Sequence, residues 1–212
     1  MSAPEGFGEP QGGAPMNQAR QRVTFTVNGE QREAWVFPHD SLLDVLRDVL
    51  GYHEVRYGCG EGVCGTCTVL LDGEPVSGCL LLAVQADGCS LVTVRGLAAG
   101  GELHPLQACF LRNGAAQCGF CTPGMLLTAW ALLQRDPRPS RERIRRELVG
   151  NLCRCTGYSK ILDAVEEHAA QAAEGSGEPR RGAPVGREGS GEPRRGAPVG
   201  REGSGEGTGG DA

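Results

Sequence analysis

The side chains in this sequence that could do chemistry are its ten cysteines, and their spacing sorts them into four, four and two. Cys59, Cys64 and Cys67 lie in Tyr57-Gly58-Cys59-Gly60-Glu61-Gly62-Val63-Cys64-Gly65-Thr66-Cys67. This C-x4-C-x2-C run is the spacing of a plant-type [2Fe–2S] loop, in which thiolates hold two irons and a fourth cysteine closes the site further on. The glycines between them fit that use. A loop wrapped around an inorganic cluster turns through positive φ and brings its backbone close, where a Cβ would obstruct. Successive peptide N–H groups then face the negative charge. Cys79 is the expected fourth ligand, because a strand-turn-strand through Asp72-Gly73 returns it to the loop. Structural zinc sites, the competing reading, usually take two C-x2-C knuckles, and this run is not one.

Cys118-Gly119-Phe120-Cys121 and Cys153-Arg154-Cys155 form the second set. Taken alone, its spacing also suits a zinc knuckle or a thioredoxin-like CxxC. A redox CxxC needs no second pair, however, and zinc ligands one residue apart are uncommon, so a second iron–sulfur site is the expectation. Cys89 and Cys109 are expected to be small core residues. His39, His53, His104 and His168 form no metal constellation and read as structural. The chain has no Ser–His–Asp arrangement, HExxH helix, GxxxxGK or strand–GxGxxG–helix, so neither a catalytic residue, a substrate site nor a Rossmann nucleotide site is expected.

These cysteines need elements to position them. Arg22–Val27 alternates and meets Asn28-Gly29, a strong hairpin signal, with Gln31–Phe37 returning. Asp40 or Ser41 caps a helix over Leu42–Leu50, whose apolar residues fall at helical spacing. Thr68–Leu71 and Val76–Cys79 pair around Asp72-Gly73, and Ser90–Val94 closes a small ferredoxin-like β-grasp. Beyond Ala98-Ala-Gly-Gly101 the periodicity becomes helical. Pro105 opens a helix over Leu106–Arg112 that Asn113-Gly114 caps. Thr122-Pro123 starts a second, with Met125, Leu126, Ala129, Leu132 and Leu133 on one face. Ser140 caps a third, with Ile144 and Leu148 inward. Ser159 to about Ala172 is a fourth, with Ile161, Leu162, Val165 and His168 inward. Each cysteine pair of the second set precedes a helix, so one pole of a four-helix domain gathers all four.

The fold class is therefore α+β: a β-grasp over 21–97, a linker over 98–103 and an all-α four-helix domain over 104–173. Disordered tails are expected over 1–20 and 174–212. The latter repeats EGSGEPRRGAPVGR at 174–187 and 188–201 and begins a third copy at Glu202, with too little apolar surface to order itself. About 150 residues remain to fold, and small domains of that kind gain stability from metal sites that close their loops. A net charge of −5 with no basic surface argues against nucleic-acid binding. No apolar run is long enough to span a membrane and no secretion signal is visible, which points to a cytoplasmic protein with no membrane insertion. Clustered cysteines in that compartment are metal ligands or redox groups more often than disulfides.

Three motifs, YGCGEGVCGTCTVLLDGEPVSGCL (57–80), QCGFCTPGML (117–126) and GNLCRCTGYSKI (150–161), together resemble the iron–sulfur subunit of the molybdenum hydroxylases, the xanthine dehydrogenase/aldehyde oxidase/carbon monoxide dehydrogenase family. The resemblance runs from about Arg22 to Ala172. It implies two [2Fe–2S] clusters, one on Cys59, Cys64, Cys67 and Cys79 facing a flavin, the other on Cys118, Cys121, Cys153 and Cys155 nearer a molybdenum centre. It also implies that Gln117 hydrogen-bonds the molybdopterin cofactor and that Cys155 approaches its pterin. A molybdopterin-binding large subunit and an FAD-binding medium subunit are the implied partners, in a heterotrimer. Electrons would leave the hydroxylase centre through this chain to the flavin or another acceptor, and the substrate would be chosen in the large subunit. A stand-alone two-cluster carrier and a zinc-stabilised interaction module are the alternatives. The repeat after Ala173 is not part of the family pattern.

Overall fold

The structure, a computed structural model, describes residues 19–98 and 101–174. The expected tails at 1–20 and 174–212 fall almost wholly outside them.

Strands β1 (Gln21–Val27) and β2 (Glu30–Val36) form an antiparallel hairpin. Its turn residues Asn28 and Gly29 both have positive φ (53° and 85°), the conformation that a two-residue turn needs to match strand twist. Strands β3 (Thr68–Leu71) and β4 (Glu74–Ser77) repeat the device at Asp72 (49°) and Gly73 (91°). Strand β5 (Ser90–Val92) joins the hairpins, parallel to β1 and antiparallel to β3, giving the mixed order β2-β1-β5-β3-β4. Three expected boundaries shift. The second strand of the β3–β4 pair starts at Glu74 because the turn holds only two residues, which leaves Cys79 beyond the strand. Strand β5 stops at Val92 because the Thr93 N–H turns to Asn28 Oδ1 (2.8 Å). The helix over Leu42–Leu50 is α-helical only at α1 (Leu42–Asp44), capped by Ser41, and continues as a π-helix over Val45–Val49. There the Leu50 N–H reaches back to the Val45 carbonyl (2.9 Å).

Four helices follow: α2 (Pro105–Arg112), α3 (Thr122–Arg135), α4 (Arg141–Glu147) and α5 (Ser159–Glu174). Helix α3 departs from expectation. The spacing puts Met125, Leu126, Ala129, Leu132 and Leu133 on one face, yet every residue from Pro123 to Leu133 is buried. The cause is its position: it packs on β3 and β4 on one side and on α2 and α4 on the other. Sheet residues Leu70 and Val92 consequently share one apolar core with Leu106, Met125, Leu132 and Ile161. A second core lies under α1, around Phe25, Val27, Leu42 and Leu46. No described helix is long and apolar enough to cross a membrane.

Candidate metal centres

The loop before β3 folds around Cys59. Its Sγ accepts from the N–H groups of Glu61 (3.3 Å), Val63 (3.4 Å) and Cys64 (3.4 Å), and the Cys59 N–H points to Cys64 Sγ (3.4 Å). Donation by Glu61, then by Cys64 and Val63, holds the Cys59 thiol down at about 6. The backbone passes so close that a Cβ on Gly58 would lie 2.7 Å from Cys64 Sγ and 2.5 Å from Thr66 Oγ1. Cys67 enters the core just before β3, where burial first, and the Cys79 thiol next to it, push it up to about 11. Cys79 follows β4, kept near Cys67 by the Gly78 N–H on the Cys67 carbonyl (3.2 Å).

The second set is assembled by packing rather than by one loop. Cys118 and Cys121 lead into α3, and Cys153 and Cys155 lie ahead of α5. Cys118 and Cys155 are exposed, with sulfurs 3.6 Å apart. Cys121 is buried, and that burial, with Cys153 in contact, pushes it up to about 12. The Phe120 N–H, followed by the Cys155 thiol, lowers Cys118. Burial opposes ionisation of Cys153, but the hydroxyl (3.1 Å) and N–H (3.4 Å) of Thr156 outweigh it and lower that thiol. Tyr158, at φ 68°, fixes the loop: its hydroxyl accepts from the Cys153 N–H (2.9 Å) and donates to the Asn151 carbonyl (3.1 Å).

The eight thiols thus meet as pairs: Cys59 with Cys64, Cys67 with Cys79, Cys118 with Cys155, and Cys121 with Cys153. No three His, Cys, Asp or Glu among the described residues are grouped as one ion would require. Two pairs per set is the arrangement a two-iron cluster asks for, since each iron takes two thiolates. Soft sulfur donors, inward N–H groups and a backbone approach that excludes a Cβ all fit [2Fe–2S].

The two sets are also joined to each other. The Leu152 N–H, next to Cys153, donates to the Cys64 carbonyl (2.9 Å). Buried Asn151 donates through Nδ2 to the Gly65 carbonyl (3.1 Å). Gly65 has φ 68°, and a Cβ on it would collide with the Gly150 carbonyl. The Arg56 guanidinium lies over the Phe120 ring, 5.4 Å from its centroid. Reading the sequence alone missed Arg56, Thr66, Asn151 and Tyr158, because each acts through a partner distant in the chain or through a backbone atom.

The remaining candidates divide. Gln117 is exposed beside exposed Cys118 and Cys155. Cys109 is buried, as expected, 3.1 Å from an Arg112 guanidinium nitrogen. Cys89 is not a core residue. It is half-buried in the turn before β5, where its carbonyl accepts from the Thr26 N–H and its own N–H donates to the Ala86 carbonyl. His39 stacks on Phe37. His104 and His168, far apart in sequence, have ring centroids 5.7 Å apart between α2 and α5.

Comparison with known proteins agrees with this geometry. Residues 25–90 match the model of a 2Fe-2S iron-sulfur cluster binding domain, and residues 93–166 that of a [2Fe-2S] binding domain. The small FeS subunit of nicotinate dehydrogenase from Eubacterium barkeri is 50% identical over 143 residues, 68% of this chain and 91% of the relative. The crystal structure of quinoline 2-oxidoreductase from Pseudomonas putida 86 contains a chain with a TM-score of 0.71 and 49% identity, matched over 74% of this chain and 98% of that one. The aldehyde oxidoreductase of Desulfovibrio desulfuricans gives 0.70 and 45%, over 73% of this chain and 17% of a much longer one.

Proposed function

Because the chain belongs to the iron–sulfur small-subunit family of the molybdenum hydroxylases, we propose that Cys59, Cys64, Cys67 and Cys79 hold one [2Fe–2S] cluster and Cys118, Cys121, Cys153 and Cys155 the other. The chain is the electron-transfer subunit of an oxidoreductase complex and has two [2Fe–2S]-binding domains. Such clusters supply one-electron chemistry, at potentials set by charge, hydrogen bonds to sulfur and exposure. The protein's own share is then to hold the thiols, aim N–H groups at them and bury one thiol of each set, Cys67 and Cys121.

The pairing of the eight thiols is the observation that carries this reading. Their surroundings support two docking faces. Exposed Cys118, Cys155 and Gln117 form one, which we assign to a molybdopterin-binding large subunit, with Gln117 and Cys155 toward its cofactor. Exposed Tyr57, Val63 and Leu80 border the first loop and form the other, assigned to an FAD-binding medium subunit. The longer aldehyde oxidoreductase chain, of which this chain matches 17%, and the quinoline 2-oxidoreductase chain matched over 98%, support this chain acting as a separate module. Eight accessible or paired thiols also suit the reducing cytoplasm, where we propose the complex works.

Electron paramagnetic resonance of the anaerobically reduced protein tests the ligand assignment. Two distinct [2Fe–2S] signals, together integrating to two spins per chain, are expected. One signal, or zinc in place of iron in the helical set, would remove the second assignment.

A further inference from the structure

Arg56 has no role in holding thiols, and its surroundings are unusual. Its backbone belongs to the first loop: the N–H donates to the Thr66 carbonyl (3.4 Å), and the carbonyl accepts from Thr66 Oγ1 (3.3 Å), which lies 3.2 Å from Cys64 Sγ. Its side chain crosses to the other set and lies over Phe120, between Cys118 and Cys121. The Phe120 N–H is itself the main donor to Cys118. Arg56 Nε is buried and meets no hydrogen-bond partner among the described residues. By contrast, Arg112, Arg135 and Arg141 are each paired with a carboxylate. A donor nitrogen buried without a partner costs stability. What the half-buried joint gains is a positive charge beside a group that becomes more negative when reduced.

We propose that Arg56 is a positioning residue for electron flow: the cation that raises the reduction potential of the site on Cys118, Cys121, Cys153 and Cys155 relative to the site on Cys59, Cys64, Cys67 and Cys79. The asymmetry follows from geometry, since the backbone of Arg56 touches the first loop while its charge lies on the second. The step it biases moves one electron: one site is oxidised as the other is reduced, with no bond or proton transferred. This rests on the assignment of a cluster to each set.

The test is an anaerobic redox titration of the full chain followed by paramagnetic resonance, with signals assigned by the one that Cys153→Ser removes. Arg56→Gln should shift the helical site's midpoint to more negative potential and move the other site less. A tenfold change in how one electron distributes between the sites corresponds to ~59 mV for a one-electron couple. Arg56→Lys, which keeps the charge, should restore most of the difference. Unmoved midpoints, a larger shift at the first site, or a lysine variant that behaves like glutamine would each overturn the proposal. If Arg56→Gln does not assemble its clusters, Phe120→Leu, which keeps the charge but removes its seat, is titrated instead. A smaller negative shift of the helical site supports the proposal, and no shift overturns it. A wild-type protein without two signals would instead overturn the cluster assignment itself, and this proposal with it.

Discussion

Three of the four thiols of the first set come from one stretch, Cys59–Cys67, and one sulfur there gathers three backbone N–H groups. The thiols of the second come from two helix approaches separated by all of α3 and α4. Its sulfurs are served instead by a hydroxyl, isolated N–H groups and a tyrosine that braces the loop. The first site is therefore largely a property of local chain conformation, whereas the second exists only while the helices are packed. Local structure opens independently of global structure when few distant contacts hold it. The two sites should accordingly fail for different reasons.

The widest separation comes from the ligands themselves. Cys153→Ser should abolish one of two paramagnetic signals and leave the other, and Cys59→Ser should do the reverse. Loss of both signals in either variant would mean that the sites are not independent. A smaller perturbation attacks packing alone. Ile161, fully buried on α5, replaced by Ala should cost about 2–4 kcal/mol. On warming, the second signal should then disappear before the first; simultaneous loss would show that one cooperative unit holds both.

Asn151→Ala sharpens the comparison at the joint. It removes one donor from the buried Gly65 carbonyl, which keeps the Thr68 hydroxyl (2.7 Å), at about 0.5–1.5 kcal/mol, read as a lower thermal midpoint. Both signals should broaden or shift, because Gly65 and Leu152 border different sets. The smallest effect is on pH. Burial, then His168, lowers His104 to about 4, and burial, then Arg112, lowers His168. Both favour the neutral ring in the fold, so their stability contribution is complete above the ordinary histidine value. It is lost as pH falls toward about 4. After discounting His104 for its partial exposure, the loss is on the order of 1–2 kcal/mol. His104→Gln should flatten the midpoint between pH 7 and 4.5; an unchanged slope would assign the acid sensitivity elsewhere.

The same division governs what could be read in advance. Both hairpin turns were legible because Asn28-Gly29 and Asp72-Gly73 use positive φ, a local property of residue type. The helix starts at Ser41, Pro105 and Ser140 were legible for the same reason. The cysteine sets were visible as spacing. Cys89 was misread because burial depends on what packs against a residue, and the turn before β5 has too little over it. The π-helix after α1 and the all-round burial of α3 were hidden because they answer to neighbours that no window contains.

By itself, then, the sequence determined which thiols exist, how they are spaced, which turns they flank and what soft-donor chemistry they suit. These follow from side-chain type and from dihedral preferences acting over a few residues. The tertiary structure alone decided that α3 lies between sheet and helices, that Asn151 and Leu152 reach the first loop, that His104 meets His168, and that Arg56 carries its charge to Phe120. Each is a contact between segments whose separation along the chain carries no local signal, and only the burial of apolar surface brings them together.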